Sequence, residues 1–302
     1  MKNKLRITAL LATICFSTTS IEQVKADIDG FNNFIGWELA LGDNGTLPMV
    51  GENFVTITTG ALQRRNIWFC EQQDITSFTA SFTYEAEDPI SIPLNAYGIS
   101  FILQVAPEGK EVVGFDDLAP RVAFGQIAPS FGLTLELHGG GAFGGGPETR
   151  SGAYLNGNIG NGSLLDVSAF ESDSITVTIN YDGGQLIDVS YENSTSEFSS
   201  TFLLPDPIEE ILGTQSAYVG FGGGTLPGNS AVDQTLSNFI YLENIEEVLL
   251  GDINLDGVVD LLDVAPFVEL LTTDVFQAEA DINQDGEVDL LDVAPFVNVL
   301  TG

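Results

Sequence analysis

Two acidic loops near the carboxyl end of the sequence place oxygen-bearing side chains at the spacing of a calcium-binding loop. In such loops the donors stand at positions 1, 3, 5, 9 and 12, position 7 offers its backbone carbonyl, and glycine at position 6 permits a sharp turn. The first loop supplies Asp252, Asn254, Asp256, Val258, Asp260 and Asp263. The second loop supplies Asp281, Asn283, Asp285, Glu287, Asp289 and Asp292. The sequence therefore predicts two bound Ca²⁺ ions, with Asp at position 12 where Glu is usual.

Each loop continues into the same ten residues, Val-Asp-Leu-Leu-Asp-Val-Ala-Pro-Phe-Val, at 259–268 and again at 288–297. The apolar positions of this internal repeat predict a short helix that buries one face against its twin. The alternative is an acidic, solvated tail. Because clustered carboxylates repel one another without a cation, we expect the segment to be largely unfolded in chelator and to fold with two Ca²⁺ ions.

These repeats resemble the type I dockerin family over residues 251–302. The resemblance implies two calcium ions and docking onto a cohesin module, which would attach the chain to a cell-surface or extracellular assembly. The positions that usually contact cohesin, 10 and 11 of each loop, are here Leu261-Leu262 and Leu290-Leu291 rather than small or hydroxylated residues. The calcium ligands thus match the family, whereas the identity of a cohesin-like partner stays open.

The composition excludes several classes of partner. The chain has 43 acidic and 9 basic residues, and its formal net charge of -34 disfavours nucleic acid and anionic membrane surfaces. A single histidine, His138, excludes zinc centres built on two or three histidines. Residues 1–26 are typical of a signal peptide, and no later stretch reaches the roughly 20 apolar residues of a transmembrane helix. The sequence predicts a secreted protein, extracellular or at the cell surface, without a transmembrane segment.

From about residue 50 to residue 242 apolar and polar residues alternate, which is the period of a β-strand. The alternation is clearest where Phe78, Ala80 and Phe82 are separated by serine and threonine. Turn signals such as Asp182-Gly183 lie between the alternating runs, and no helical crossover joins them. The pattern predicts a mainly β fold in which two antiparallel sheets pack as a sandwich or jelly roll.

The same region resembles the bacterial L-type (legume-like) lectin domains over residues 27–244. The stretches that match are 36–37, 66–69, 74–82, 97–104, 177–183 and 216–221. The resemblance implies a concanavalin A-like antiparallel β-sandwich that binds carbohydrate. The expected organisation is a signal peptide at 1–26, a lectin-like sandwich at 27–244, a linker at 245–250 and a small all-α, calcium-binding dockerin with EF-hand-like loops at 251–302.

The sequence departs from the lectin family at the residues that bind sugar and metal. Legume-type lectins orient the sugar with an Asp before a loop glycine, whereas Tyr97 precedes Gly98 here. They also hold calcium and a transition metal with a Glu-x-Asp pair, whereas this strand carries Glu136 and His138 on one face and lacks further ligands, so we do not expect a metal there. The remaining candidates for sugar contact are Tyr97, Gly98, Phe143, Tyr154, Asn156, Asn158 and Gly223. The alternative is that Tyr97 packs inside the sandwich and that the glycines only permit tight turns.

Catalysis is the less favoured interpretation. A laminarinase-type hydrolase presents three carboxylates on one strand, whereas Glu136 stands alone on the comparable strand. His138 and the glycines after it imitate the oxyanion-hole stretch of some esterases, but the Gly-x-Ser-x-Gly nucleophile motif is absent. The sequence favours a carbohydrate-binding protein over an O-glycosyl hydrolase acting on polysaccharide. A structural or adhesive extracellular protein with a degenerate sugar site is the third alternative.

Overall fold

The computed structural model describes most of the chain, which divides into two compact units at residues 1–244 and 245–302. The described residues are 28–42, 47–60, 63–86, 97–115, 122–137, 150–158, 164–167, 174–225, 233–243, 249–273, 275–283 and 285–301. No helix within these ranges is long and apolar enough to cross a membrane.

The larger unit consists of two antiparallel sheets, as the period-two pattern predicts. Its strands are β1 (Ile28–Asp29), β2 (Trp37–Leu41), β3 (Met49–Val50), β4 (Phe54–Thr59), β5 (Arg64–Asp74), β6 (Phe78–Ala86), β7 (Tyr97–Gln104), β8 (Ser130–Leu137), β9 (Arg150–Leu155), β10 (Leu164–Asp166), β11 (Ile175–Tyr181), β12 (Leu186–Glu192), β13 (Glu197–Leu203), β14 (Ser216–Thr225) and β15 (Asp233–Glu243). Sheet A has the order β13-β12-β11-β6-β15-β4-β3, with β1 also paired to β15. Sheet B has the order β10-β9-β8-β7-β14-β5-β2. One short helix, α1 (Ile208–Leu212), precedes β14.

Aromatic side chains from both sheets fill the space between them. In β6 the inward residues Phe78, Ala80, Phe82 and Tyr84 are buried, and the alternate residues are not. The Phe82 ring lies 5.1 Å from the Phe221 ring of sheet B in an edge-on arrangement. Contacts of this kind add to the stabilisation from buried area, so the alternation read from the sequence directly produces the core.

A cover segment, residues 105–115 and 122–129, lies on the outer face of sheet B. Side chains of the sheet donate hydrogen bonds to its backbone carbonyls, among them Trp68 Nε1 to Val112 O (3.1 Å), Ser100 Oγ to Val122 O (2.6 Å) and Asn66 Nδ2 to Ala123 O (2.8 Å). Apolar residues of the segment and the sheet then form a second buried cluster, which includes Val122, Phe124, Ile127, Trp68, Ile102 and Tyr154. Sheet B is therefore buried on both faces over much of its width.

The smaller unit contains two α-helices, one after each acidic loop. These helices are α2 (Val264–Leu270) and α3 (Val293–Thr301), and a short 3-10 helix spans Ala278–Ala280. The rings of the twin residues Phe267 and Phe296 meet at 4.3 Å in a core that also holds Ile253 and Ala280. The prediction that each repeat forms a short helix packed against its twin is confirmed.

Candidate functional site

The first aspartate of each acidic loop is held by the backbone of its own loop. Asp252 Oδ1 accepts a hydrogen bond from the Asp256 N–H at 3.1 Å, and its Oδ2 accepts one from the Gly257 N–H at 2.8 Å. Asp281 makes the two equivalent bonds at 3.1 and 2.9 Å. The glycines at position 6 have φ of 85° and 89°, in the left-handed region that favours glycine. The sharp turn expected at position 6 is therefore present in both loops.

The last aspartate of each loop closes it from the other side. Asp263 Oδ1 accepts from the Asn254 N–H at 2.9 Å, and Asp263 Oδ2 accepts from the Asp260 N–H at 2.8 Å. Asp292 repeats this pair of bonds at 3.0 and 2.9 Å. Asp at position 12 thus links positions 3 and 9 of each loop through their backbone N–H groups, so the loop is closed although Asp replaces the usual Glu.

The four aspartates are buried in a unit that carries no positive side chain. Their exposed fractions are 5% for Asp252, 0% for Asp263, 7% for Asp281 and 0% for Asp292. Residues 245–302 contain no Lys, Arg or His. Because a buried carboxylate requires a compensating charge, this donor set fits a hard cation such as Ca²⁺. Among the described residues no three His, Cys, Asp or Glu side chains converge on one point, so a site here needs the asparagine and backbone oxygens as well.

The leucines at positions 10 and 11 of the loops face solvent. Leu261 and Leu262 are 80% and 66% exposed, and Leu290 and Leu291 are 78% and 66% exposed. Neither pair belongs to the core that joins the two helices. Two equivalent apolar surfaces are therefore available to a partner.

The residues predicted for sugar contact lie at opposite ends of sheet B. Tyr97 and Gly98 begin β7, and Gly223 lies in the neighbouring strand β14, paired with Ile99. Asn156 and Asn158 instead follow the far end of β9, where Leu155 pairs with Phe131. Eight residues of β8 separate the two ends, which corresponds to about 25 Å. We name them the Gly98 end and the Asn158 end.

At the Gly98 end, both glycines have a packing explanation. A Cβ atom on Gly98 would lie 2.4 Å from the Leu135 carbonyl oxygen. A Cβ atom on Gly223 would lie 2.7 Å from the Ile57 side chain of sheet A. Gly223 is thus buried inside strand β14 and does not form a tight turn. The Tyr97 side chain, Phe143 and His138 lie outside the described residues.

At the Asn158 end, Asn156 closes a turn and Asn158 remains exposed. Asn156 has φ of 54°, its N–H donates to Ser130 O at 2.8 Å, and its Oδ1 accepts from the Ser130 N–H at 3.1 Å. Tyr154 is only 4% exposed. Burial raises the pKa of Tyr154 above its usual value, and the nearby Glu136 carboxylate raises it further. Tyr154 therefore packs against the sheet and offers little of its ring to a sugar.

A groove of about 600 Å³ opens beside Asn158, between the edges of the two sheets. Its volume lies within the range of about 300–1,000 Å³ found for small-ligand sites. The lining residues are Ala153, Tyr154, Leu155, Asn158, Leu165, Ser200, Thr201, Phe202, Leu203, Leu204 and Pro205. None of them is charged, in a chain whose net charge is -34. The sequence does not indicate that β13 lines this groove, because β13 is distant from β9 along the chain and contains no recognisable motif.

The outer face of sheet B offers no open cleft of the kind that a chain-cleaving hydrolase needs, within the part of the sheet described here. A Cβ atom on Gly222 would lie 2.3 Å from Val122 O, and one on Gly132 would lie 2.7 Å from the Phe124 ring. The cover segment therefore rests directly on the strands. Glu136 lies at the end of β8, where it pairs with Arg150 of β9.

Comparisons with known proteins found matches for both the smaller and the larger unit. Residues 250–300 match the model of the dockerin type I domain. The solved structures that are similar to the larger unit include three legume lectins. They are the winged bean acidic lectin complexed with methyl-α-D-galactose (14% identity, TM-score 0.56, 71% of this chain and 96% of that one), lectin II from Ulex europaeus (13%, 0.57, 72% and 97%) and peanut lectin with a nine-residue peptide (15%, 0.54, 71% and 96%).

None of the curated proteins matches the sequence. At these identities the structural likeness shows the fold alone, which is the concanavalin A-like sandwich that the resemblance implied. Residues 250–300 are a type I dockerin domain, a calcium-binding module, and the larger unit has the fold of the legume L-type lectins.

Proposed function

We propose that this chain is a secreted carbohydrate-binding protein whose dockerin attaches it to an extracellular or cell-surface partner. In this proposal residues 1–26 are removed on export, residues 27–244 bind sugar, 245–250 link the units and 251–302 form the dockerin. The observation that carries the calcium-dependent attachment is the set of four buried aspartates in a unit without a basic side chain. Such a unit needs calcium to fold, and extracellular calcium supplies it.

Two Ca²⁺ ions would bind, one in each loop, through the twelve positions named above. Isothermal titration calorimetry on the full chain should give two ions per chain, and far-UV circular dichroism should show helix gained on their addition. The double variant Asp263→Ala/Asp292→Ala should bind neither ion, whereas the exposed helix residue Glu269 can be changed to Ala as a matched control. Full calcium binding by the double variant would refute the assignment.

The exposed leucine pairs would form the surface that contacts a cohesin-like partner. Burial of apolar side chains drives most protein association, and this surface lacks the polar side chains common at these positions. Gel filtration with a panel of cohesin modules, in calcium, should detect a complex that Leu261→Ser/Leu262→Ser together with Leu290→Ser/Leu291→Ser abolishes. Retention of the complex by the fourfold variant would move the contact elsewhere.

The uncharged groove at the Asn158 end would bind a neutral glycan. Asparagine amides and the hydroxyls of Ser200 and Thr201 can hydrogen bond to sugar hydroxyls, and the apolar lining can contact their C–H faces. Asn158→Ala should weaken binding to the best ligand of a glycan array about tenfold, as loss of one hydrogen bond implies. Thr195→Ala, in an exposed turn at the other end of sheet A, serves as the matched control.

Two further outcomes of the array would decide between the alternatives. Binding without release of reducing sugar supports a lectin, whereas release of reducing sugar supports a hydrolase. Binding that survives Asn158→Ala unchanged would place the sugar at the Gly98 end instead. Absence of any glycan ligand would favour a structural or adhesive role.

A further inference from the structure

At the Gly98 end, a basic residue lies opposite Glu136, the residue that corresponds to a metal ligand in the resemblance to the legume-type lectins. Glu136 of β8 and Arg150 of β9 are direct partners across the antiparallel pair, and Gly98 of β7 lies on the other side of Glu136. Residues directly opposite in such a pair have Cβ atoms about 5 Å apart, and an opposite-charge pair at that spacing is stabilising. The strand alternation puts both on the outer face of sheet B, with Thr134 and Tyr154.

The Glu136 carboxylate and the Arg150 guanidinium both lie close to the buried Tyr154 side chain. Its pKa is raised by burial and by the Glu136 carboxylate, and it is lowered by Arg150 and by a hydrogen bond with Thr134. The Tyr154 ring also lies over Gly152, where a Cβ atom would be 2.9 Å from the phenol oxygen. The phenol therefore points along β9 towards Arg150 and Glu136.

The donor set required for the metal does not fit these residues. Lectins that hold calcium and a transition metal use a Glu-x-Asp pair, and here the second position is His138. We propose that Arg150 takes the place of the metal: its guanidinium neutralises Glu136, so the larger unit is held together without a divalent ion. An arginine fork matches a carboxylate with two parallel hydrogen bonds, and its positive charge repels a cation beside it.

The full chain allows the larger unit to be observed separately. Both tryptophans, Trp37 and Trp68, are buried in that unit, whereas residues 245–302 contain no tryptophan. Tryptophan fluorescence during thermal unfolding therefore reports on the sandwich, and circular dichroism at 222 nm also reports on α2 and α3. In EDTA the fluorescence midpoint should move by less than about 1 °C, while the helical signal falls. A fluorescence midpoint lowered by several degrees would overturn the proposal.

Metal analysis gives a second readout that does not depend on stability. The variant Asp263→Ala/Asp292→Ala, equilibrated with Ca²⁺ and Mn²⁺ and then desalted, should retain less than one tenth of an ion per chain by mass spectrometry. Retention of one ion per chain would show a metal site outside the dockerin loops and would overturn the proposal. This measurement remains valid if a variant of Arg150 fails to fold.

A double-mutant cycle then tests the pair itself. Arg150→Met should lower the fluorescence midpoint by about 1–4 °C, because Glu136 is left without its counter-charge. Adding Glu136→Gln to Arg150→Met should recover at least half of that loss, and Arg150→Lys should lose less than Arg150→Met. Equal losses in the single and double variants would show that Arg150 acts only through packing and would overturn its role as counter-ion.

Discussion

Replacement of Asp263 by alanine should unfold the smaller unit even when calcium is abundant. Asp263 is fully buried, and its two oxygens accept backbone hydrogen bonds at 2.9 and 2.8 Å. Hydrogen bonds to a charged acceptor contribute about 1.5–3 kcal/mol each, so their loss costs about 3–6 kcal/mol. A unit the size of residues 245–302 has a total stability of about 3–9 kcal/mol, which is comparable.

The duplication supplies the control for this experiment. Asp292→Ala removes the equivalent bonds at 3.0 and 2.9 Å, so both single variants should lose similar amounts of helical circular dichroism signal in calcium. Glu269→Ala, on the exposed side of α2, should retain the wild-type signal. The tryptophan fluorescence of the larger unit should not change in any of the three. If Asp263→Ala kept the wild-type midpoint and bound two ions, the buried aspartates would not be what makes the unit calcium-dependent.

Two further expectations concern the larger unit. Burial raises the pKa of Tyr191 from 10.0 to about 12, so the folded state holds this proton more tightly than the unfolded chain does. The free energy of unfolding is therefore unaffected by this group below pH 10 and falls by about 3 kcal/mol as the pH rises from 10 to 12. In denaturant titrations Tyr191→Phe should flatten that decline. At pH 7 the same variant should cost about 1 kcal/mol, because the hydrogen bond to Ser151 Oγ is lost. Gly98→Ala should lower the midpoint of thermal unfolding by several degrees, because its Cβ would lie 2.4 Å from Leu135 O. Gly184→Ala is the control and should be close to neutral, because the nearest atom to its Cβ is 3.4 Å away. Equal midpoints for the two glycine variants would contradict this explanation.

The parts of the fold that follow a side-chain period could be predicted from the sequence. Phe78, Ala80 and Phe82 alternate with small polar residues, and they do line the space between two sheets. The repeat after each loop places Phe267 and Phe296 at equivalent positions, and the two rings meet. In both cases the pattern identifies the buried face because burial of that face is what stabilises the element.

The cover segment could not be predicted in this way. The sheet binds it through the carbonyl oxygens of Val112, Val122 and Ala123, and every residue carries such an oxygen whatever its side chain. The cover segment can also approach the sheet closely because Gly222 has no side chain, and Val122 O lies where a Cβ atom would otherwise be. Glycines that permit close contact and glycines that permit turns look the same in one sequence.

The predicted sugar contacts lie at two separate ends of sheet B because of one strand. Nothing in the sequence of residues 150–155 marks a strand clearly, so the sequence does not separate Asn156 and Asn158 from Tyr97 and Gly98. In the structure β9 runs antiparallel to β8 and carries both asparagines to the opposite end of sheet B. An antiparallel strand carries the residues that follow it back to the other end of its neighbour. A strand of six residues that is not predicted therefore shifts the expected position of a contact by about the length of the sheet.

The two units balance the charge of their carboxylates by different means, and this difference has a functional consequence. In the larger unit Glu38 pairs with Lys110 at 2.8 Å, and Glu136 lies opposite Arg150. The smaller unit has no basic side chain, so a cation from solution must neutralise its carboxylates. If both proposals hold, lowering the calcium concentration releases the chain from its partner without altering the sugar-binding unit. Attachment and recognition would then respond to different conditions within one protein, because one unit carries its counter-charge in its sequence and the other obtains it from solution.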